Sequence, residues 1–145
     1  MKARILTSIL AVVFSVAILN AANPNSVKYT NEETTAAGTV KEYTFCEKET
    51  LKPLNRAVYQ YNANGELLEK VYYKWDNNTG WVSVQKYNYE YQDNKVASLI
   101  YSEWDSSLGT WSENPEYITY VYNKNGELLT LQDIIENSIE PMATF

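Results

Sequence analysis

The chain has 145 residues, 45% of them hydrophobic and 14% aromatic, with 12 basic residues against 18 acidic and no histidine. That length suits a single domain, and a net charge of -6 repels phosphate backbones and so argues against nucleic acid as a partner. Without histidine the commonest metal ligand and the commonest general base are both missing, and the single cysteine, Cys46, cannot close an internal disulfide.

Lys2 and Arg4 precede an apolar run from Ile5 to Leu19, which is followed by Asn20-Ala21-Ala22-Asn23-Pro24. This is the layout of a secretory signal, too short to favour a membrane anchor and with no cysteine at its end to carry a lipid. Residues 1–22 are therefore read as a signal peptide cut after Ala21 or Ala22, which places the protein in the periplasm or outside the cell. The membrane is met only through that signal. Loss of Lys2 and Arg4 leaves ten basic residues against 18 acidic, a formal charge of -8.

Residues 23–38 are polar, carry Pro24 and Gly38, and have no sustained period, which reads as a flexible lead-in. Residues 39–145 read as a single β-repeat domain. Tyrosine and valine alternate with polar residues from Val40 onward, and Gly65, Gly80, Gly109 and Gly126 fall in the breaks. Tyr43, Phe45, Leu51, Tyr59 and Tyr61 stand 30 positions before Tyr73, Trp75, Trp81, Tyr89 and Tyr91, so the repeat is about 30 residues long. Each unit is two strands and two turns. Stacked in order, the units predict an all-β, antiparallel up-and-down meander of tandem hairpins, a twisted or curled single sheet of about seven strands.

The turns predict the register. Asn62-Ala63-Asn64-Gly65 suits a type I turn closed by a left-handed glycine, whereas Gln92-Asp93-Asn94-Lys95 suits a two-residue turn with both central residues left-handed. A slip near Asn114-Pro115 implies a bulge or a late strand start, since proline cannot donate to a ladder. The last strand is expected from Glu127 to about Gln132. Beyond it Asp133-Ile134-Ile135-Glu136 resembles a helix start, and a short C-terminal helix is expected to end before Pro141.

With that register, Tyr61 is expected opposite Leu67 and Ala57 opposite Val71. One face then collects Tyr43, Phe45, Tyr59, Tyr61, Tyr73, Trp75, Trp81, Tyr87, Tyr89, Tyr91, Trp104, Tyr120 and Tyr122. Arg56, Gln60, Asn62, Glu66, Lys70 and Lys74 fall on the other. So large an apolar set is expected mostly as core, buried by curling of the sheet or by the termini, because soluble monomers rarely expose such patches. The alternative is a stacking platform for sugar rings or for a partner protein's side chains. Trp81 and Trp111, at turn edges, are the first binding candidates, followed by Trp75 and Trp104.

No catalytic constellation, metal site or cofactor site is expected. Asp76-Asn77-Asn78-Thr79-Gly80 and Asp105-Ser106-Ser107-Leu108-Gly109 present oxygens as a calcium loop does but lack a closing glutamate, and Asx turns explain them more simply. Asp76, Asp105, Glu66 and Glu127 could be paired for glycoside hydrolysis, yet their recurrence in matching places suits structural punctuation.

The unit Tyr59-Gln60-Tyr61-Asn62-Ala63-Asn64-Gly65-Glu66-Leu67 resembles the tyrosine/aspartate repeats of Rhs-type and teneurin-like shells, with Asn62 at the usual aspartate and Glu66 at the usual arginine. The whole chain, a signal peptide followed by repeats from about Val40 to Leu131, looks closer to the small exported proteins of unknown function common in gut Bacteroidetes. That likeness implies a periplasmic or secreted location and supplies no activity. The expected function is a non-catalytic binding or surface-interaction module for glycan or protein. Assembly through unpaired sheet edges and a small outer-membrane barrel are the alternatives.

Overall fold

Hairpin follows hairpin along this chain, so every strand runs antiparallel to its neighbours. The computed structural model describes residues 15–17 and 25–129. In chain order the strands are β1 (Ser15–Ala17), β2 (Ser26–Thr35), β3 (Gly38–Glu47), β4 (Pro53–Asn62), β5 (Leu67–Asp76), β6 (Gly80–Gln92), β7 (Lys95–Asp105), β8 (Thr110–Trp111) and β9 (Glu116–Thr119). Sheet order is chain order from β1 to β8, and β9 pairs with β7 further along the same edge as β8. The up-and-down meander expected from the repeat is present as one open sheet, whose first and last strands do not meet. It is not a barrel. Charged side chains stand on both of its faces, as described below, which does not suit a lipid-facing wall.

Two expectations about the ends change. The stretch read as a flexible lead-in is largely strand, since β2 pairs with β3 along its whole length, from Ser26 opposite Glu47 to Thr35 opposite Gly38. Its polarity concealed it: a strand near an edge with both faces at most half-buried needs little apolar patterning. β1 falls inside the apolar run read as a secretion signal and pairs with only Lys28, Tyr29 and Thr30 of β2. The anticipated C-terminal helix, and the end of the last strand, lie outside the described residues. Within them, Tyr122 and Leu128 form an isolated bridge around the turn at Asn123.

The turns follow their residues. Asn62 N–H donates to the Glu66 carbonyl at 2.9 Å, Gly65 N–H donates to the Asn62 carbonyl at 3.0 Å, and Gly65 has φ of 83°, as a type I turn with a left-handed glycine requires. Asp93 and Asn94 have φ of 51° and 60°, giving the two-residue turn between Gln92 and Lys95. The edge strand beside β7 breaks between Trp111 and Glu116, around Pro115.

The faces do not follow the expected parity. Each of the four successive pairings from β3–β4 to β6–β7 contains one register shift, which leaves Leu54, Leu68, Val84 and Ala97 as single extra residues in β4, β5, β6 and β7. Tyr61 lies opposite Leu67 as expected, but past Leu68 the alternation reverses: Ala57 lies opposite Tyr72 rather than Val71, and Tyr59 lies opposite Lys70. The rings of these strands therefore divide between two faces. Tyr43, Phe45, Tyr59, Tyr61, Tyr87, Tyr89 and Tyr91 share one with Lys28, Lys41, Lys70 and Tyr72. Tyr73, Trp75, Trp81, Trp104 and Trp111 share the other with Arg56, Glu42, Glu69 and Lys86.

Nor are the rings a core. Among the described residues the buried ones are Cys46, Ala57, Val71, Leu99 and Ser102, and no large side chain is fully buried. Small residues are covered here by larger neighbours, while the aromatic rings on both faces stay half-buried. Among the described residues a single layer offers each ring only lateral contacts, and the closed interior expected from the aromatic count is not formed by them. Cys46 is a free thiol, and burial raises its pKa, which keeps it a small apolar plug.

Candidate functional site

The tryptophan face is built from two copies of one device. Trp75 lies opposite Trp81 across the β5–β6 turn, and Trp104 lies opposite Trp111 across the β7–β8 turn. In each pair the rings meet edge to face, with centroids 5.1 Å apart and planes at 77° and 81°. The four binding candidates of the sequence are thus brought together as two pairs on one face. All four are half-buried, Trp81 and Trp111 as well as their partners.

The turn beneath each pair is fastened by an aspartate. Asp76 Oδ1 accepts from the N–H groups of Asn78 and Thr79 and from the Thr79 hydroxyl at 2.9 to 3.0 Å. Asp105 Oδ1 accepts from the N–H groups of Ser107 and Leu108 and from the Ser107 hydroxyl at 2.5 to 3.1 Å. Bonding to Asn78 and Thr79 holds the Asp76 carboxyl, and bonding to Ser107 and Leu108 holds the Asp105 carboxyl, below the usual carboxylate range. These oxygens serve the turn. Glu66 and Glu127, the other carboxylates considered for chemistry, likewise accept from Asn62 Nδ2 at 2.6 Å and Asn123 Nδ2 at 2.7 Å.

Sequence reasoning missed Arg56. Its guanidinium carbon stands 4.7 Å from the centroids of both Tyr73 and Trp81, with Glu42 Oε1 at 3.6 Å from Nη1. The buried Arg56 Nε has no hydrogen-bond partner, consistent with an edge presented to ring faces. Lys86 Nζ lies 4.8 Å from the Trp111 ring on the same face. Nothing in the alternation pointed to Arg56, because the expected parity put it on the side away from the rings.

A hollow of about 440 Å³ lies at the β6–β7 turn, where Lys95 Nζ donates to the Gly126 carbonyl at 2.7 Å, so its cation is engaged in closing the turn from Asn123 to Gly126. A second hollow, of about 430 Å³, lies over β2 to β5 and is lined by Lys28, Tyr43, Phe45, Tyr59, Tyr61 and Tyr72 around the buried Ala57. Ala57 makes the depression, since its methyl leaves room that the flanking rings wall in. Tyr43 and Tyr59 meet edge to face at 5.4 Å. Three ammonium groups ring the site: Lys28 Nζ is 4.8 Å from the Tyr43 ring, Lys41 Nζ 5.9 Å from Tyr61, and Lys70 Nζ 4.6 Å from Tyr72 and 5.1 Å from Tyr59. Among these, Lys41 also pairs with Glu32 at 3.2 Å. Burial raises the pKa of Tyr59, so its hydroxyl stays neutral and able both to donate and to accept. The hollow thus offers flat apolar walls, phenol hydroxyls and local positive charge on a protein that is acidic as a whole.

The family of unknown function DUF3836 matches residues 1–130 of the chain. The protein belongs to that family. DUF3836 carries no assigned activity, so membership fixes the kind of chain and leaves its chemistry to be argued from the residues. Two crystal structures of DUF3836 proteins resemble this one. One, from Parabacteroides distasonis, is 24% identical, with 63% of this chain and 86% of that one covered and a TM-score of 0.47. The other, from Bacteroides vulgatus, is 18% identical, with 74% and 97% covered and a TM-score of 0.40. No curated protein matches the chain. The expected likeness to Bacteroidetes proteins of unknown function agrees with DUF3836 membership and with the source of both structures, and nothing in these comparisons supports the likeness to tyrosine/aspartate repeats.

Proposed function

We propose that this DUF3836 protein is an exported, non-catalytic binding module that takes the flat face of a sugar ring in the tyrosine-lined hollow over β2 to β5. The observation that supports this reading most is the hollow itself: four tyrosines and Phe45 stand around the buried Ala57, with ammonium groups at the rim. Tyrosine offers a rigid apolar face for the C–H side of a sugar and a hydroxyl for its polar edge, which leucine or isoleucine would not. The tryptophan pairs, Trp75 with Trp81 and Trp104 with Trp111, form a second aromatic surface on the opposite face, more filled by Arg56 and Lys86 and therefore a lesser candidate. A supporting result is retention of the exported protein on at least one of a broad panel of neutral and acidic polysaccharides, lost in Tyr59→Ala and kept in Trp81→Ala. Absence of retention on the whole panel removes the glycan reading.

A second reading, association through the sheet edges, draws on the outer row of β2 beyond Thr30, which has no partner strand among the described residues, since β1 covers only Lys28 to Thr30.

A further inference from the structure

We propose that in the processed protein two copies join through β2, antiparallel about a two-fold axis at Thr30, so that their sheets run on as one. This rests on the export reading above, because cleavage after Ala21 or Ala22 takes away β1 and leaves β2 as the edge. β1 itself shows that the edge accepts an extended segment in antiparallel register, Ser15 to Ala17 lying opposite Thr30 to Lys28. The other edge is a poorer joint. β8 and β9 are two and four residues long and are separated by the chain around Pro115, whereas β2 is a ten-residue strand aligned with β3 without a register shift.

The register follows from two rules. Residues opposite one another in an antiparallel pair turn their N–H and C=O groups alike, so two copies of one strand can pair even positions only with even and odd only with odd. Charge then selects among the permitted centres. A centre at Tyr29 sets Lys28 against Thr30, and a centre at Asn31 sets Thr30 against Glu32, neither with any charge match. A centre at Thr30 sets Lys28 against Glu32 twice, once in each direction. Both residues lie on the tyrosine face, where Lys28 rims the hollow and Glu32 already meets Lys41 at 3.2 Å. Two hollows would then lie side by side on one continuous face, a layout suited to a ligand with repeated units.

The test uses the full chain expressed with its own leader in a Gram-negative host, with the N-terminus of the exported product read by mass spectrometry and its mass in solution by sedimentation. An uncleaved product counts against the export reading; a cleaved product that stays monomeric at high concentration overturns the β2 joint alone. For the register, Lys28→Glu and Glu32→Lys are each expected to weaken self-association at least tenfold, since each sets like charges in both crossings. An equimolar mixture of the two is expected to associate again, because every crossing then has opposite signs. Unchanged self-association of either variant, or a mixture that stays monomeric, overturns the proposal. Should a reversal unfold the chain, Lys28→Gln and Glu32→Gln replace it. Both are expected to weaken association several-fold, and no change in either overturns the register.

Discussion

Tyr59 and Lys70 stand opposite one another across β4 and β5, with the ammonium 5.1 Å from the ring centroid. The same ammonium lies 4.6 Å from Tyr72 and 5.8 Å from Tyr87, so one cation joins three strands on the tyrosine face. With no second layer among the described residues, such lateral contacts take over part of the work that a packed interior does elsewhere.

Lys70→Met keeps the stem and removes the charge. Partly desolvated cation–π contacts contribute about 0.5 to 2 kcal/mol, so the variant is expected to lose about 1 kcal/mol of stability in urea titration. An unchanged midpoint would mean that the stem alone does the packing.

Gly38 and Gly65 separate two roles of glycine. Both have positive φ, 144° and 83°, but an added Cβ meets the Tyr61 carbonyl oxygen at 2.0 Å in the first case and nothing within 4 Å in the second. Gly65→Ala is expected to cost about 1 kcal/mol from the left-handed backbone alone. Gly38→Ala is expected to cost more than about 3 kcal/mol, because β3 must also move away from β4. Equal thermal shifts for the two would contradict this.

The capping carboxylates set the acid limit. Asp76 and Asp105 have lowered folded-state pKa values, so their contribution is present above the unfolded value of about 3.9 and is lost as the pH falls through the folded one. Asp76→Asn and Asp105→Asn keep the accepting oxygen and remove the titration. Together they should flatten the decline in melting temperature below about pH 4. An undiminished decline assigns the acid sensitivity to other groups.

Tyr101 sets an alkaline marker. Its hydroxyl donates to Glu103 Oε1 at 2.8 Å, and that carboxylate, with some desolvation, pushes its pKa up to about 12. Tyr59, Tyr73, Tyr89 and Tyr91 are also raised, chiefly by burial. A raised pKa favours the neutral phenol in the folded state, so the stability it contributes is full below the unfolded value of about 10 and is lost as the pH climbs through the folded values. Absorbance titration near 295 nm should show a late-ionising phenol that moves toward the ordinary range in Glu103→Gln. A titration that does not change contradicts the pairing.

The two tryptophan pairs can be measured directly. Single and double alanine variants at Trp104 and Trp111 should yield a coupling of about 0.5 to 1.5 kcal/mol, the usual range for edge-to-face rings. The Trp75–Trp104 combination, from different pairs, should be additive within about 0.5 kcal/mol.

Local chemistry was enough to predict the antiparallel meander, the left-handed Gly65, the paired left-handed Asp93 and Asn94 and the break at Pro115, because each depends on a few adjacent residues. Trp75 with Trp81, and Trp104 with Trp111, were likewise foreshadowed by the repeat, though only as neighbours of a turn. Which face each ring occupies was settled by Leu54, Leu68, Val84 and Ala97. A bulge needs only one extra residue and carries no necessary glycine or proline, so nothing local marks these four, and each reverses the alternation of everything beyond it. That reversal moved Lys70 onto the tyrosine face and Arg56 against Trp81, and so made both aromatic surfaces. β2 was missed for a related reason: its partner, β3, is a property of the assembled sheet and leaves little trace in an edge strand's own polar residues.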